Sequence, residues 1–143
     1  MGYQLIYNSS FKDIDENTIN IEIYRDSGGT LIASELLCSA DAVSINYESD
    51  DDVFKPIKCS DCQINVLTTK VLANLYTALG NQIYCTISKN GSLLWCGYSV
   101  PCLYSTDYNE EYNLLSLQFN DILSSLSNYN YTYLNEKQSI VSF

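Results

Sequence analysis

The chain contains no histidine, and it has only two prolines and one tryptophan among its 143 residues. Histidine is the side chain most often used for acid–base catalysis near neutral pH, and it is the commonest ligand of transition metals. Its absence excludes the Ser-His-Asp arrangement and with it most hydrolase classes. We therefore predict a protein that is not an enzyme and that has no catalytic, cofactor-binding or metal-binding residues.

Positive charge is also scarce, because seven Lys and Arg residues stand against 17 Asp and Glu, which gives a net charge of −10. Phosphate backbones and anionic lipid surfaces repel such a chain, so we predict no specific nucleic-acid binding. Residues 1–52 hold 11 acidic and two basic residues, a net charge of −9. This acidic region suits docking against basic neighbours, although a solvated surface is the simpler interpretation.

Long apolar runs are missing too. No stretch approaches the roughly 20 apolar residues of a membrane helix, and residues 1–4 lack the basic and apolar segments of a signal peptide. We expect no membrane insertion, no secretion by that route, and reduced thiols. With 143 residues, of which 46% are hydrophobic, the chain has the size of one domain. We expect a single β-rich domain over residues 1–135 and a loose C-terminal tail over residues 136–143.

The six cysteines include one closely spaced pair, Cys59 and Cys62. A zinc ribbon needs a second close pair, whereas the next cysteines, Cys85 and Cys96, stand 11 positions apart. A thioredoxin-type pair should open a helix, but the residues after Cys62 alternate as a strand. We predict cysteines that act as small hydrophobic side chains and hold no metal.

Two further patterns of acidic residues do not predict a site, one because its spacing is wrong and the other because solvent exposure explains it. Asp13, Asp15 and Asn17 resemble the start of a calcium loop. The sixth position of that loop is Thr18 instead of Gly, and the twelfth is Tyr24 instead of Glu. Paired carboxylates for glycoside hydrolysis are not excluded, but the acidic residues lie mainly in predicted turns, where solvation explains them.

Alternation of apolar and polar side chains predicts strands along most of the chain. The clearest case in the first half is the run Ile19-Asn20-Ile21-Glu22-Ile23-Tyr24. The predicted strands cover residues 3–8, 19–24, 30–33, 43–47, 62–67, 82–89, 92–98, 114–119 and the Tyr-rich run 129–133.

The strongest local signal is Asn90-Gly91, which favours a two-residue hairpin turn with positive φ at both positions. A regular register from this turn places Cys85 directly opposite Cys96, with Trp95 on the other face. Opposed Cβ atoms are about 4.5 to 5.5 Å apart, longer than a relaxed disulfide, so we expect two buried thiols there. The core-facing residues predicted for the two arms are Ile83, Cys85 and Ile87 and Leu94, Cys96 and Tyr98.

Two helices are predicted. Thr68 and Thr69 can cap a helix of about three turns that ends at Gly80. Its apolar stripe comprises Leu72, Leu75, Tyr76 and Leu79. A short second helix over residues 122–126 follows Asn120 or Asp121. The fold class is therefore mainly β or α+β, a β-sandwich or partly open barrel of antiparallel strands with one crossing helix and one short second helix.

Tyrosine is abundant, with 13 in the chain. Tyrosines beside a tryptophan can stack on sugar rings, so a carbohydrate-binding module that uses surface Tyr and Trp is one hypothesis. The other is that Tyr98, Tyr112 and similar residues form core or a subunit interface. The sequence by itself leaves both open.

Four passages of the chain stand out when they are taken together: Phe54-Lys55-Pro56-Ile57-Lys58-Cys59-Ser60, the strand–helix passage up to Leu75-Tyr76, Leu94-Trp95-Cys96-Gly97-Tyr98-Ser99-Val100-Pro101-Cys102-Leu103-Tyr104 and Leu117-Gln118-Phe119-Asn120-Asp121-Ile122-Leu123-Ser124-Ser125-Leu126. They resemble the start of large tail proteins of crAss-like and related Bacteroidales phages, over roughly residues 1–135. That resemblance implies a virion tail component of hub, baseplate or muzzle type, assembled in the host bacterial cytoplasm. It implies partners among other tail subunits, in a homo- or hetero-oligomeric ring around the DNA channel, and no catalytic residues.

Overall fold

The protein is mainly β, as the sequence predicts. A computed structural model describes residues 2–47, 59–77, 79–100 and 112–125. Within these ranges, eight strands form one sheet in the order β3-β1-β2-β6-β7-β8-β5-β4. The strands are β1 Gly2–Lys12, β2 Thr18–Ser27, β3 Ser34–Glu35, β4 Leu37–Tyr47, β5 Ser60–Thr68, β6 Ile83–Lys89, β7 Ser92–Ser99 and β8 Asn113–Asp121.

The period-two pattern of the sequence decides which side of the sheet is buried. In β2 the side chains of Ile19, Ile21 and Ile23 face the core, while the residues between them are half-buried on the outer face. The same alternation runs through β5, β6 and β8. The largest fully buried side chains include Phe119, Ile6, Ile21, Ile23, Ile64, Leu75, Ile83, Ile87 and Val66.

The sheet is open and mixed, which corrects the expectation of purely antiparallel strands. β3 pairs with β1 in parallel through two residues, Tyr7 with Ser34 and Asn8 with Glu35. The other neighbouring strands pair antiparallel. The two edge strands, β3 and β4, are separated in the chain only by Leu36. The chain therefore passes from one edge of the sheet directly to the other.

The β6–β7 hairpin turns where it was predicted, but its register differs. Asn90 and Gly91 have φ values of 51° and 81°, as the two-residue turn requires. A bulge in β7 then shifts the ladder, so that Ile87 pairs with Trp95 and Cys85 pairs with Gly97. A one-residue shift moves every later side chain to the opposite face.

The predicted faces of β7 are therefore wrong. Trp95 lies in the core with 5% of its surface exposed, and its indole N–H donates to the Oγ of Ser60 at 3.0 Å. Cys96 and Tyr98 lie on the outer face, so Cys96 does not oppose Cys85. The bulge follows from no turn residue in the sequence, which is why a regular register was expected.

The predicted three-turn crossing helix is also wrong, because residues 68–77 form only a single 3-10 turn, Ala73–Leu75. The hydroxyl of Thr68 accepts from the backbone N–H of Lys70 at 3.0 Å and donates to the carbonyl of the same residue at 2.8 Å, which closes a local turn after β5. Leu75 is buried and Leu79 is exposed, so the expected stripe does not share one face. The short second helix is confirmed as α1, Ile122–Ser125.

The acidic residues that resemble a calcium loop form the turn between β1 and β2. The Oδ1 of Asp13 accepts from the backbone N–H groups of Asp15 at 2.9 Å and Asn17 at 2.8 Å. Its Oδ2 lies 3.1 Å from the Nζ of Lys89. Partial burial opposes ionisation, but the hydrogen bonds from Asn17 and the Lys89 ammonium outweigh it and hold the pKa of Asp13 below its usual value. The carboxylate therefore stabilises a turn.

Some sequence-based expectations lie outside the described residues. These are the strand over residues 129–133, the loose tail over residues 136–143, Cys102 and the Phe54–Ile57 part of the tail-protein resemblance. Within the described ranges, no helix has the length and apolar character to span a membrane.

Candidate functional site

The outer face of the sheet carries a cluster of four tyrosines, one on each of β1, β2, β6 and β7. We refer to Tyr3, Tyr24, Tyr84 and Tyr98 as the tyrosine patch. The ring centroid of Tyr84 lies 5.8 Å from that of Tyr3, 6.2 Å from that of Tyr24 and 5.4 Å from that of Tyr98. These separations are those of interacting aromatic pairs. Tyr84 therefore lies at the centre of a contiguous aromatic surface.

Strand register brings these rings together. Tyr24 pairs directly with Tyr84 across β2 and β6, and Tyr84 pairs directly with Tyr98 across β6 and β7. Tyr24 and Tyr84 point outward because the residues beside them, such as Ile23 and Ile83, are buried in the core. The bulge in β7 contributes, because it is what turns Tyr98 outward.

Two phenol groups of the patch, those of Tyr84 and Tyr24, have raised pKa values and stay protonated at neutral pH. Burial, the hydrogen bond with Cys96 and the neighbouring ionisable groups together raise the pKa of Tyr84 to about 12. Burial also raises the pKa of Tyr24, whose hydroxyl donates to the Oε2 of Glu22 at 2.9 Å. Tyr24 and Tyr84 therefore offer uncharged hydroxyls, and the four rings of the patch offer apolar surface.

A strip of polar side chains adjoins the patch on the same face of β8, β5 and β4, beginning at Asn120, which pairs with Tyr98. We call this strip the polar ladder. The Nδ2 of Asn46 donates to the Oδ2 of Asp61 at 2.9 Å, and the Oγ of Ser116 donates to the Oδ1 of Asn65 at 2.7 Å. The polar ladder comprises Ser44, Asn46, Asp61, Gln63, Asn65, Ser116, Gln118 and Asn120.

The polar ladder ends at exposed leucines. Leu37 on β4 pairs with Leu67 on β5, which pairs with Leu114 on β8. Leu37 is 57% exposed and Leu114 is 62% exposed. The outer face thus has an aromatic region at one end, amides and hydroxyls in the middle and an aliphatic row at the other end.

Two of the cysteine side chains, Cys62 and Cys85, are buried in the core. Burial and the nearby Asp61 carboxylate raise the pKa of Cys62 to about 12, and burial raises the pKa of Cys85 well above its usual value. Both thiols are free, as are Cys38, Cys59 and Cys96. Among the described residues no group of three or more Cys, Asp or Glu could hold a metal ion. Cys62 and Cys85 are packing residues in the core.

The structure separates the aromatic residues that the sequence suggested for sugar stacking. Trp95 is buried, so the expectation of a surface tryptophan is wrong. Tyr98 belongs to the patch, whereas Tyr112 is 64% exposed just before β8. Reasoning from sequence missed the patch as a unit, since its members span residues 3 to 98 and only strand order makes them neighbours. The available signal was a tyrosine at an outward position in several strands.

Comparison with known proteins adds no relative, so the arrangement of this outer face is the main guide to function beside the sequence resemblance. No protein-family model, curated protein or solved structure matches this chain.

Proposed function

We propose that the chain is a non-enzymatic structural component of a phage virion tail, which docks the outer face of its sheet onto other tail subunits. The observation that supports this proposal is the tyrosine patch. Tyrosine is enriched at protein interfaces, where its ring buries a large apolar area and its hydroxyl hydrogen-bonds at the rim. The phage setting rests on the sequence resemblance given above.

The geometry of the rings favours a protein partner over a sugar. Neighbouring rings in the patch are inclined to one another by 41° to 52°. A sugar ring stacks best on a flat, exposed aromatic face, whereas inclined rings make a ridged surface into which protein side chains can interdigitate. Tyr3 is 42% exposed, and the other three rings partly cover one another.

Carbohydrate binding is the second candidate, favoured by the polar ladder beside the patch. Amide and carboxylate groups such as those of Asn120 and Asp61 are suited to sugar hydroxyls. Several groups of the ladder already bond to each other, as Asn46 does to Asp61 and Ser116 to Asn65. Those pairings reduce what the ladder can offer a ligand, so we place this function second.

The experiment compares virions assembled in cells that express the wild-type chain with virions assembled in cells that express a Tyr84→Ser, Tyr98→Ser double variant. The matched control is Tyr47→Ser, since Tyr47 is 64% exposed and lies outside the patch. Mass spectrometry of purified virions should detect the wild-type and control chains and find the double variant depleted at least about tenfold. Equal incorporation of all three chains would contradict docking through the patch. Glycan-array retention that the double variant loses would instead favour carbohydrate binding.

A further inference from the structure

A groove of about 1030 Å³ opens between the second half of β1 and β4, away from the tyrosine patch. Phe11 and Ile19 line one side, Val43 and Ile45 line the other, and the fully buried Ile87 also contributes. None of the patch tyrosines lines it. An inference from this groove therefore goes beyond the proposed function and does not depend on it.

The groove exists because β4 leaves β1 at a bulge. The two segments are in contact where the chain crosses between the sheet edges: the N–H of Leu36 donates to the carbonyl of Asn8 at 2.8 Å. The Sγ of Cys38 lies 3.4 Å from the Oγ of Ser9. The register of β4 then shifts between Cys38 and Val43. Bulges bend a strand, so β4 moves away from β1 beyond this point.

Both walls of the groove are strand edges. Residues 9–12 of β1 pair with β2 on one side, and no described strand pairs with them on the other. β4 likewise pairs only with β5 within the described ranges. Such edges present backbone N–H and C=O groups that an added strand can bond. An extended segment between them would pair with two edges at once and direct alternate side chains onto the apolar lining.

The charged residues that line the groove indicate which kind of molecule would supply the extended segment. Glu35 and Asp41 are both exposed and line the groove near the crossing, where Cys38 lies beside Ser9. Lys12 and the Asp13–Lys89 ion pair line the opposite end. The chain carries a net charge of −10, so two copies repel one another. We propose that the groove receives an extended segment of a different protein that alternates apolar and polar residues and carries a basic residue at the Glu35–Asp41 end.

The first test uses the fluorescein-labelled peptide Lys-Arg-Thr-Val-Thr-Ile-Thr-Val and a control in which the central Thr is Pro. Proline cannot donate a ladder hydrogen bond, so we expect the control to bind at least about tenfold more weakly by fluorescence anisotropy. Hydrogen exchange at Ser10–Lys12 and Val43–Asn46 should slow on binding of the parent peptide. Binding of neither peptide at about 1 mM, a threshold of about −4.1 kcal/mol, would overturn the proposal.

The second test uses variants of the protein. Val43→Lys places a charge in the wall of the groove, and Val71→Lys is its matched control because Val71 is 68% exposed and outside the groove. We expect Val43→Lys to weaken peptide binding at least about tenfold and Val71→Lys to leave it unchanged. If Val43→Lys does not fold, the Asp41→Lys variant is used in its place. Asp41 is exposed, and reversing its charge should weaken binding of the basic peptide several-fold.

The proposal is contradicted if a folded Val43→Lys variant binds the peptide as tightly as the wild type does. If Val43→Lys does not fold, undiminished binding by Asp41→Lys contradicts it instead. Slowed exchange confined to the strands of the tyrosine patch also contradicts it. Loss of virion incorporation in the tyrosine variants does not alter this test, so failure of one proposal is distinguishable from failure of the other.

Discussion

Gly97 lies where the packing between β7 and β8 leaves no room for a side chain. A Cβ at this residue would overlap the backbone carbonyl of Asn120 and the ring of Trp95. We expect Gly97→Ala to lower the free energy of unfolding by about 1 to 3 kcal/mol, because overpacking forces the ring or β8 to move. Denaturant unfolding followed by the fluorescence of Trp95 measures this. Gly29→Ala, where nothing lies within 4 Å, is the control and should change stability little; equal effects at both glycines would refute the packing of Trp95 across Gly97.

The buried thiol of Cys62 predicts how stability depends on alkaline pH. The pKa of Cys62 is about 12 in the folded protein against an ordinary value of 9.0, so the folded state holds this proton more tightly than the unfolded state does. The resulting stabilisation is complete below pH 9 and is lost as the pH rises through about 12. Unfolding free energies measured from pH 8 upward should fall less steeply for Cys62→Ala than for the wild type. Parallel curves would count against a buried, protonated thiol.

Among the elements, the β6–β7 hairpin depends most on its turn. Gly91 has a φ of 81°, a conformation that β-branched residues avoid. We expect Gly91→Val to cost more than about 1 kcal/mol of stability although a Cβ there meets no neighbour, because the cost comes from the backbone. Thermal unfolding monitored by circular dichroism is the measurement, with Ser92→Val as the control on the adjacent, exposed strand residue. An unchanged melting temperature for Gly91→Val would contradict the turn conformation.

Local alternation and turn chemistry predicted most of the strands, but not the details that create the candidate site. The runs around Ile21, Ile64 and Leu117 lie in strands because alternate residues reach the core. The stripe around Leu75 does not form an α-helix, and its described residues make a single 3-10 turn, Ala73–Leu75. The bulge that buries Trp95 depends on packing between strands that are distant in sequence. No local pattern encodes that packing, so the outward position of Tyr98 was not predictable.

At the scale of the whole molecule, the groove and the tyrosine patch are two surfaces of different chemical character. Acidic residues dominate the first 52 residues, which include the groove's Glu35 and Asp41. The tyrosine patch offers apolar rings and the uncharged hydroxyls of Tyr24 and Tyr84, with the Glu22 carboxylate at its border. The two surfaces suit different partners: the groove a basic extended segment, and the patch a surface that buries aromatic rings.

The most direct measurement of the central claim is site-specific photo-crosslinking during virion assembly. p-Benzoylphenylalanine in place of Tyr98 keeps an aromatic ring on the patch, and the same replacement at the exposed Tyr112 is the control. If the patch is the docking surface, irradiation should link the Tyr98 variant to another tail subunit, identified by mass spectrometry, and link the Tyr112 variant at least about tenfold less. Equal linkage from both positions, or linkage from neither in virions that contain the chain, would contradict the claim.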